Sequence, residues 1–399
     1  MLTPAEAESL IGQHLTGLPI ESLPLTQAIG SILRENIYAE RDAPPFDRVA
    51  MDGIALNSSG CKRGPQDLVV QAMQPAGAAP LTLTQDSHCI EIMTGAMLPN
   101  GCDAVVPVEQ ITLANGRARL AAEVNVTPYL NVHRRGSDSR QGALLLSSGA
   151  CLTAPDIAVA ASAGMARLRV SAQPAIVVVS TGDELIEPGE SILPDQVRRS
   201  NVYGVVAALK ARGFVRVADD HVRDDANEIA ARLKQHLATH DTVILSGGVS
   251  MGQLDLVPKV LADLGVRQVF HKIAQRPGKP MWFGVAPSGA TVFALPGNPV
   301  STLVCLARYV VPALYRAMQW QAPAPERLAL AKPFETRHAL SFFLPVKLAV
   351  DEWGRRWAHP SPTNGSGDFT ALVGTDGFVE LPPGPAERPK GFVATMYRW

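Results

Sequence analysis

The sequence predicts an α/β multidomain protein: a central doubly wound α/β domain, preceded by N-terminal helical and β-rich domains and followed by a small C-terminal β domain. Three observations carry this expectation. Between Ala175 and Met318, apolar runs of strand length alternate with helix-period stripes, as in an open sheet covered by helices. Residues 42–142 instead hold short apolar runs punctuated by Gly, Pro and Asn. The same strand-and-turn pattern returns after a Pro/Ala-rich linker at 321–326. The expected domains are therefore 1–41 together with 143–170, then 42–142, 171–320 and 325–399.

The elements follow in order. Thr3 can cap a helix, Pro4 suits its first turn, and Glu6 completes a capping box ahead of Leu10, Ile11 and Leu15. Residues 25–33 read as a second short helix, interrupted at Gly30. The β-rich region offers strands at 68–72, 89–93, 104–108 and 118–122. An alanine-rich helix at 155–163, stopped by Gly164, is expected to rejoin the N-terminal helices. The central domain offers strands at 176–179, 214–217, 243–245, 266–273, 281–285 and 291–295. Its helices run over 202–210, from Asp225, over 256–264, and from Asn298-Pro299. Strands at 341–349, 356–359, 377–381 and 391–398 complete the chain, with Trp353, Trp357 and Trp399 as the core of a small domain.

Composition limits the function classes. With 36 basic and 37 acidic residues the net charge is −1, which removes the global basic footprint of a nucleic-acid binder. The five cysteines are scattered, odd in number and without a CxxC pair, so neither a disulfide framework nor a zinc site is expected. No basic, then apolar, leader opens the chain, and no run of about 18 uncharged apolar residues could span a bilayer. The expectation is a cytoplasmic protein with no membrane partner.

The chemistry is expected where strands end in glycine. An apolar run from Thr242 ends in Ser246-Gly247-Gly248-Val249-Ser250-Met251-Gly252. Glycines there allow positive φ, and successive backbone N–H groups can cradle an anion. Gly247 and Gly252 have the outer spacing of a P-loop, but Gln253-Leu254 stands where Lys-[Ser/Thr] is required. By itself such a loop is more often a connection than a site. A second loop of this kind is Thr181-Gly182-Asp183-Glu184. Lys272, Arg276 and Lys279 surround a Pro-Gly turn that either holds an oxyanion or is merely solvated. In Pro296-Gly297-Asn298-Pro299, Asn298 and Pro299 make a helix start and Gly297 bares backbone N–H groups to an anion. Asp52, Asp138, Asp183, Glu184, Asp224 and Asp255 lie in turns or at strand ends. Each alone reads more readily as a cap or a solvated turn residue than as a ligand; gathered near phosphates they would hold Mg²⁺.

The ordered set is more specific than its parts. Pro45-Phe46-Asp47 with Ala50-Met51-Asp52-Gly53 comes first, then Ile92-Met93-Thr94-Gly95-Ala96, then Arg134-Arg135-Gly136 with Asp138. The Thr181 loop, Ser200-Asn201, Arg223-Asp224-Asp225, the Ser246 loop with Asp255, Pro277-Gly278-Lys279-Pro280 and Pro296-Gly297-Asn298-Pro299-Val300-Ser301 follow. This series resembles the molybdopterin molybdenumtransferase family (MoeA, and the E domains of gephyrin and plant Cnx-type proteins). The resemblance implies a MogA-like central domain, four domains per subunit and a homodimer with its active cleft between subunits. It implies Mg²⁺-dependent hydrolysis of adenylylated molybdopterin, release of AMP and insertion of molybdate into the dithiolene.

On that resemblance Asp52, Thr94, Asp138, Glu184, Asp224 and Asp255 are the expected catalytic residues, with Glu184, Asp224 and Asp255 on Mg²⁺. Asp52, Thr94 and Asp138 would close the cleft of the partner subunit. Thr181, Asp183, Asn201, Ser246, Gly247, Gly248 and Ser250 are expected to bind substrate, with Lys272, Arg276 and Lys279 supplying positive charge. Pro296, Gly297, Asn298, Pro299 and, from the C-terminal domain, Ser366 complete the expected site. A MogA-like adenylyltransferase and acceptor molybdoenzymes or their chaperones are the implied partners. The chain departs from the family pattern at Ile54, Ser137, Arg199 and Gln275-Arg276. A MogA-type adenylyltransferase and a non-catalytic cofactor-binding scaffold are the alternative readings.

Overall fold

The computed structural model describes residues 1–61, 66–248 and 256–399. Its centre is a six-stranded sheet in the order Val217–Val222, Ile176–Thr181, Thr242–Ser246, Thr291–Leu295, Trp282–Val285, Arg267–His271. The first four strands are parallel, whereas Trp282–Val285 runs antiparallel to both neighbours. Side chains alternate between faces along each strand. Ile176, Val178, Ile244, Phe293 and Leu295 join the core under Asn201–Lys210 and the helical run from Pro299. Val177, Val179, Val243, Leu245 and Val292 join the opposite core, under Ala226–Thr239 and Val257–Asp263. Burial on both faces explains why these strands read as unbroken apolar runs.

Local signals set most boundaries. Thr3 and Glu6 form the capping box: Glu6 accepts from the Thr3 backbone N–H at 2.7 Å, and Thr3 Oγ1 accepts from the Glu6 N–H at 3.3 Å. That first helix, Pro4–Gln13, buries Ala7 and Ile11 in the central core rather than against 143–170. The expected helix at 25–33 is only a 3-10 turn, Leu25–Gln27. Its apolar residues serve other partners: Ile32 bridges Cys151 and Leu33 bridges Val170. The expected strand at 214–217 begins at Val217 instead, because Phe214 turns away from the sheet into the helix-covered core.

The flanking segments build three further structures. Ile20–Pro24 pairs antiparallel with Arg167–Ser171, which returns the chain to its N-terminal part after the β-rich excursion. The β-rich segment carries a six-stranded sheet that includes two strands unmarked in the sequence reading, Gly53–Leu56 and Ile111–Ala114. In the C-terminal segment Ser341–Val350 pairs with both Arg356–Pro360 and Gly377–Leu381, closing five strands into a barrel. Trp353 is 73% exposed and is not core; it sits in the turn after Ser341–Val350. Arg308 ties the layers together, donating to Glu8 at 2.7 Å and to Glu380 at 2.9 Å from a buried position.

Candidate active site

Three loops leave the carboxyl ends of three adjacent parallel strands, where open α/β sheets bind ligands. Thr181-Gly182-Asp183-Glu184 follows Ile176–Thr181, Gly247-Gly248 follows Thr242–Ser246, and Pro296-Gly297-Asn298-Pro299 follows Thr291–Leu295. Together they line one cleft of ≈ 620 Å³. The loops are in contact: a Cβ on Gly297 would lie 3.6 Å from Gly247 Cα, and one on Gly248 would lie 3.0 Å from Thr181 Oγ1. Gly248 also has φ +68°, so a side chain there would be strained as well as crowded.

Asn201, the first residue of its helix, fastens two of these loops. Its Nδ2 donates to Ser246 Oγ at 3.1 Å and to the Gly297 carbonyl at 2.6 Å. Among the described residues its Oδ1 is buried without a hydrogen-bond partner, and so is Thr181 Oγ1. Buried polar atoms are rarely left unpaired. Two such atoms in one cleft mark it as built for a polar ligand.

The rim is acidic. Asp183, Glu184 and Asp224 are all exposed there, and the Asp224 backbone N–H donates to Asp183 Oδ1 at 3.3 Å. Asp224 is held above the ordinary carboxylate value of 3.8 by partial desolvation, then by the charges of Glu184 and Asp183. No group of three or more His, Cys, Asp or Glu with metal-holding geometry occurs among the described residues. Mg²⁺ asks for less: one or two carboxylates, with substrate phosphates and water completing its shell. Glu184 and Asp224 fit that requirement. Asp255, Ser250 and Gly252 lie outside the described residues.

Positive charge also enters the first cleft from Arg198, which was not among the expected site residues. Arg198 lines the cleft while donating to the carbonyls of Glu187 at 2.7 Å and Glu190 at 2.8 Å. Its partners are neutral, so its charge remains for a ligand. Arg199 also borders the cleft, but its guanidinium is neutralised by Glu187 and by Asp219, the latter at 2.9 Å. It further donates to Ser180 Oγ at 2.7 Å. The departure at Arg199 is thus an internal tie rather than a reversal of charge in the cleft.

Arg276 and Lys279 do not face the glycine loops. They line a second cleft of ≈ 650 Å³, which shares Pro280, Pro296 and Asn298 with the first. Its far wall comes from the C-terminal barrel and brings Arg337, His338 and Ser366. The first two carried no sequence signal beyond a basic pair in a turn. Ser366 Oγ accepts from Asn298 Nδ2 at 2.8 Å, and its carbonyl accepts from the Val300 N–H at 3.0 Å. Asn298 therefore precedes the helix Pro299–Cys305 as expected, but its side chain reaches the barrel instead of capping. Lys272 lines neither cleft; at φ +77° it ends a strand with its N–H on the Met281 carbonyl at 2.9 Å.

Asp52, Thr94 and Asp138 stand apart, in the β-rich segment, and line neither cleft. Asp52 Oδ1 accepts from the Thr94 N–H at 2.6 Å and from its hydroxyl at 2.8 Å. Those two bonds hold Asp52 below the ordinary carboxylate value. Asp138 is exposed and accepts from Ser137 Oγ at 3.1 Å.

The chain is similar to known proteins along nearly its whole length. Residues 2–164 match the MoeA N-terminal region (domain I and II), 177–316 a probable molybdopterin-binding domain, and 327–399 the MoeA C-terminal region (domain IV). A molybdopterin molybdenumtransferase of Synechocystis sp. is 37% identical over 400 residues, covering 100% of both chains. Molybdopterin molybdenumtransferase 2 of Mycobacterium tuberculosis is 33% identical over 82% of each chain. The solved molybdopterin biosynthesis MoeA protein of Pyrococcus horikoshii superimposes with TM-score 0.82 at 30% identity, covering 100% of this chain and 99% of that one. With family models across nearly its whole length and relatives of this identity, the chain belongs to the MoeA family of molybdopterin molybdenumtransferases.

Proposed function

We propose that this protein inserts molybdenum into adenylylated molybdopterin, with Mg²⁺-dependent release of AMP. The observation that carries the reading is the pair of clefts divided by Pro296–Asn298: one has an acidic rim and buried polar atoms unpaired among the described residues, the other carries Arg276 and Lys279, with Arg337 paired to Glu335 at 3.0 Å. The phosphates of the substrate lie against Gly247 and Gly248, where Asn201, Thr181 and Ser246 face them and Arg198 supplies positive charge. Glu184 and Asp224 would hold Mg²⁺, and Asp183 accepts from the Asp224 backbone N–H beside them. When bound, the ion neutralises phosphate charge and polarises the pyrophosphate link.

Molybdate, as the second substrate, enters the cleft of Arg276, Lys279, Arg337 and Ser366, where paired donors suit an oxyanion. Asp52, Thr94 and Asp138 act on the cleft of a second copy in a homodimer. Four domains, a cytoplasmic setting, an adenylyltransferase upstream and acceptor molybdoenzymes downstream belong to the same reading. No helix among the described residues is long and apolar enough to cross a membrane.

The test is AMP release from adenylylated molybdopterin by the purified full chain. Release should require both Mg²⁺ and molybdate. Lys279→Ala should raise the apparent KM for molybdate about tenfold or more, since a charge-assisted contact is lost. ATP consumption with free molybdopterin would assign adenylyl transfer instead. Tight pterin binding without turnover would assign a scaffold.

A further inference from the structure

The loop that carries Arg276 and Lys279 rests on a buried polar cluster. Gln275 is fully buried. Its Oε1 accepts from the Tyr309 hydroxyl, and its Nε2 donates to the Pro277 carbonyl at 3.1 Å and to Cys305 Sγ at 3.6 Å. Cys305 in turn donates to the Gly278 carbonyl at 3.7 Å. Both carbonyls at the base of the cationic turn are therefore held by side chains. Burial pushes the Tyr309 and Cys305 pKa values up, so both keep the protons they donate.

The seat is tight. Gly278 has φ +94°, and a Cβ there would lie 2.6 Å from both Cys305 Sγ and Gln275 Nε2. The backbone of Gln275 and Arg276 meanwhile pairs with Ser341 and Phe342 of the barrel. Tyr309 stands in a π-helical turn, Leu306–Val310, which continues the helix begun after the Pro296–Asn298 loop. Such wide turns are often retained where a side chain must be aimed. One residue thus joins three parts of the second cleft: its side-chain amide ties the cationic turn to the helix behind the dividing loop, and its backbone pairs with the barrel wall.

We propose that Gln275, acting with Tyr309 and Cys305, is a positioning residue that fixes Arg276 and Lys279 at the separation a tetrahedral oxyanion requires. Gln275 is buried in the wall of the cleft, whereas Tyr309 and Cys305 lie behind it and line neither cleft. The three set the affinity of the cationic cleft and leave the glycine-loop cleft alone. The inference rests on molybdate entering the cationic cleft.

Calorimetric titration of sodium molybdate, and separately of AMP with Mg²⁺, into the full-length protein tests it. Tyr309→Phe and Gln275→Leu, each checked for an intact fold by circular dichroism, should weaken molybdate binding about tenfold, the effect of one buried polar group left unpaired. AMP binding should stay within roughly twofold, as for a distant independent site. Tyr315→Phe is the control: it removes a hydroxyl from the same helical run that bonds the Arg212 carbonyl at 3.1 Å instead. It should change neither ligand. Unchanged molybdate affinity in the folded Tyr309→Phe and Gln275→Leu proteins, or equal losses of molybdate and AMP, would overturn the positioning role. A wild type whose molybdate affinity survives Lys279→Ala intact would instead overturn the assignment of the cleft.

Discussion

Asp224→Asn should lower Mg²⁺-dependent AMP release by roughly 10²-fold or more, the scale of losing a metal-held electrostatic group. The same substitution should leave the metal-free protein at least as stable as the wild type at neutral pH. The sign follows from the direction of the shift. Desolvation, then Glu184 and Asp183, raise the folded-state pKa of Asp224 above 3.8. Ionised Asp224 therefore costs stability above that raised value, and the cost disappears as pH falls through it. Asparagine has no charge to repel, so it avoids the cost at every pH. With Mg²⁺ and AMP present the order should invert, because the wild type alone gains the binding energy. Activity assays and thermal melts at pH 7, with and without Mg²⁺ and AMP, check both halves. A variant that is active, or markedly less stable without metal, would assign Asp224 a structural role.

Arg199→Ala should produce the largest loss of stability among the residues around the cleft. The guanidinium is 6% exposed and serves Glu187, Asp219, Ser180 Oγ and the Asp220 carbonyl. Glu187 and Asp219 keep much of their hydration, so their release is cheaper than that of a buried ion pair. The cost should therefore be that of a few charge-assisted hydrogen bonds, about 2–3 kcal/mol. For a domain of this size it should appear as a fall in melting temperature on the order of 5 °C. Glu187 also accepts from the Tyr203 hydroxyl at 2.6 Å, and Arg198 bonds the Glu187 carbonyl. Loosening this segment should thus weaken AMP binding too, whereas molybdate binding should persist. A melting temperature equal to that of the wild type would show that the tie carries no weight.

The central sheet and its loops were legible because their signals are local. Apolar runs ending in Gly, and Asn-Pro opening a helix, mark strand ends and helix starts without knowledge of partners. Convergence of the Thr181, Ser246 and Pro296 loops followed from their places at the ends of parallel strands. What was hidden depends on tertiary contact. Arg276 and Lys279 are close in sequence to the central sheet, yet they serve the cleft walled by the barrel. Arg199 stands out in the sequence only as a departure from the family pattern, whereas in the fold Glu187 and Asp219 neutralise it. Gln275 looked like a substitution in a loop, whereas it is a buried tie to Tyr309, 34 residues away. The 25–33 segment carried helix-like apolar content, but Ile32 and Leu33 found strand partners far along the chain.

The division of labour between the clefts is the central claim, and a crystal structure of the full chain with AMP, Mg²⁺ and molybdate tests it most directly. The AMP phosphate should lie against Gly247 and Gly248, the ion beside the carboxylates of Glu184 and Asp224, and molybdate beside Arg276, Lys279 and Ser366. AMP in the Arg276–Lys279 cleft, or molybdate on the glycine loops, would contradict it.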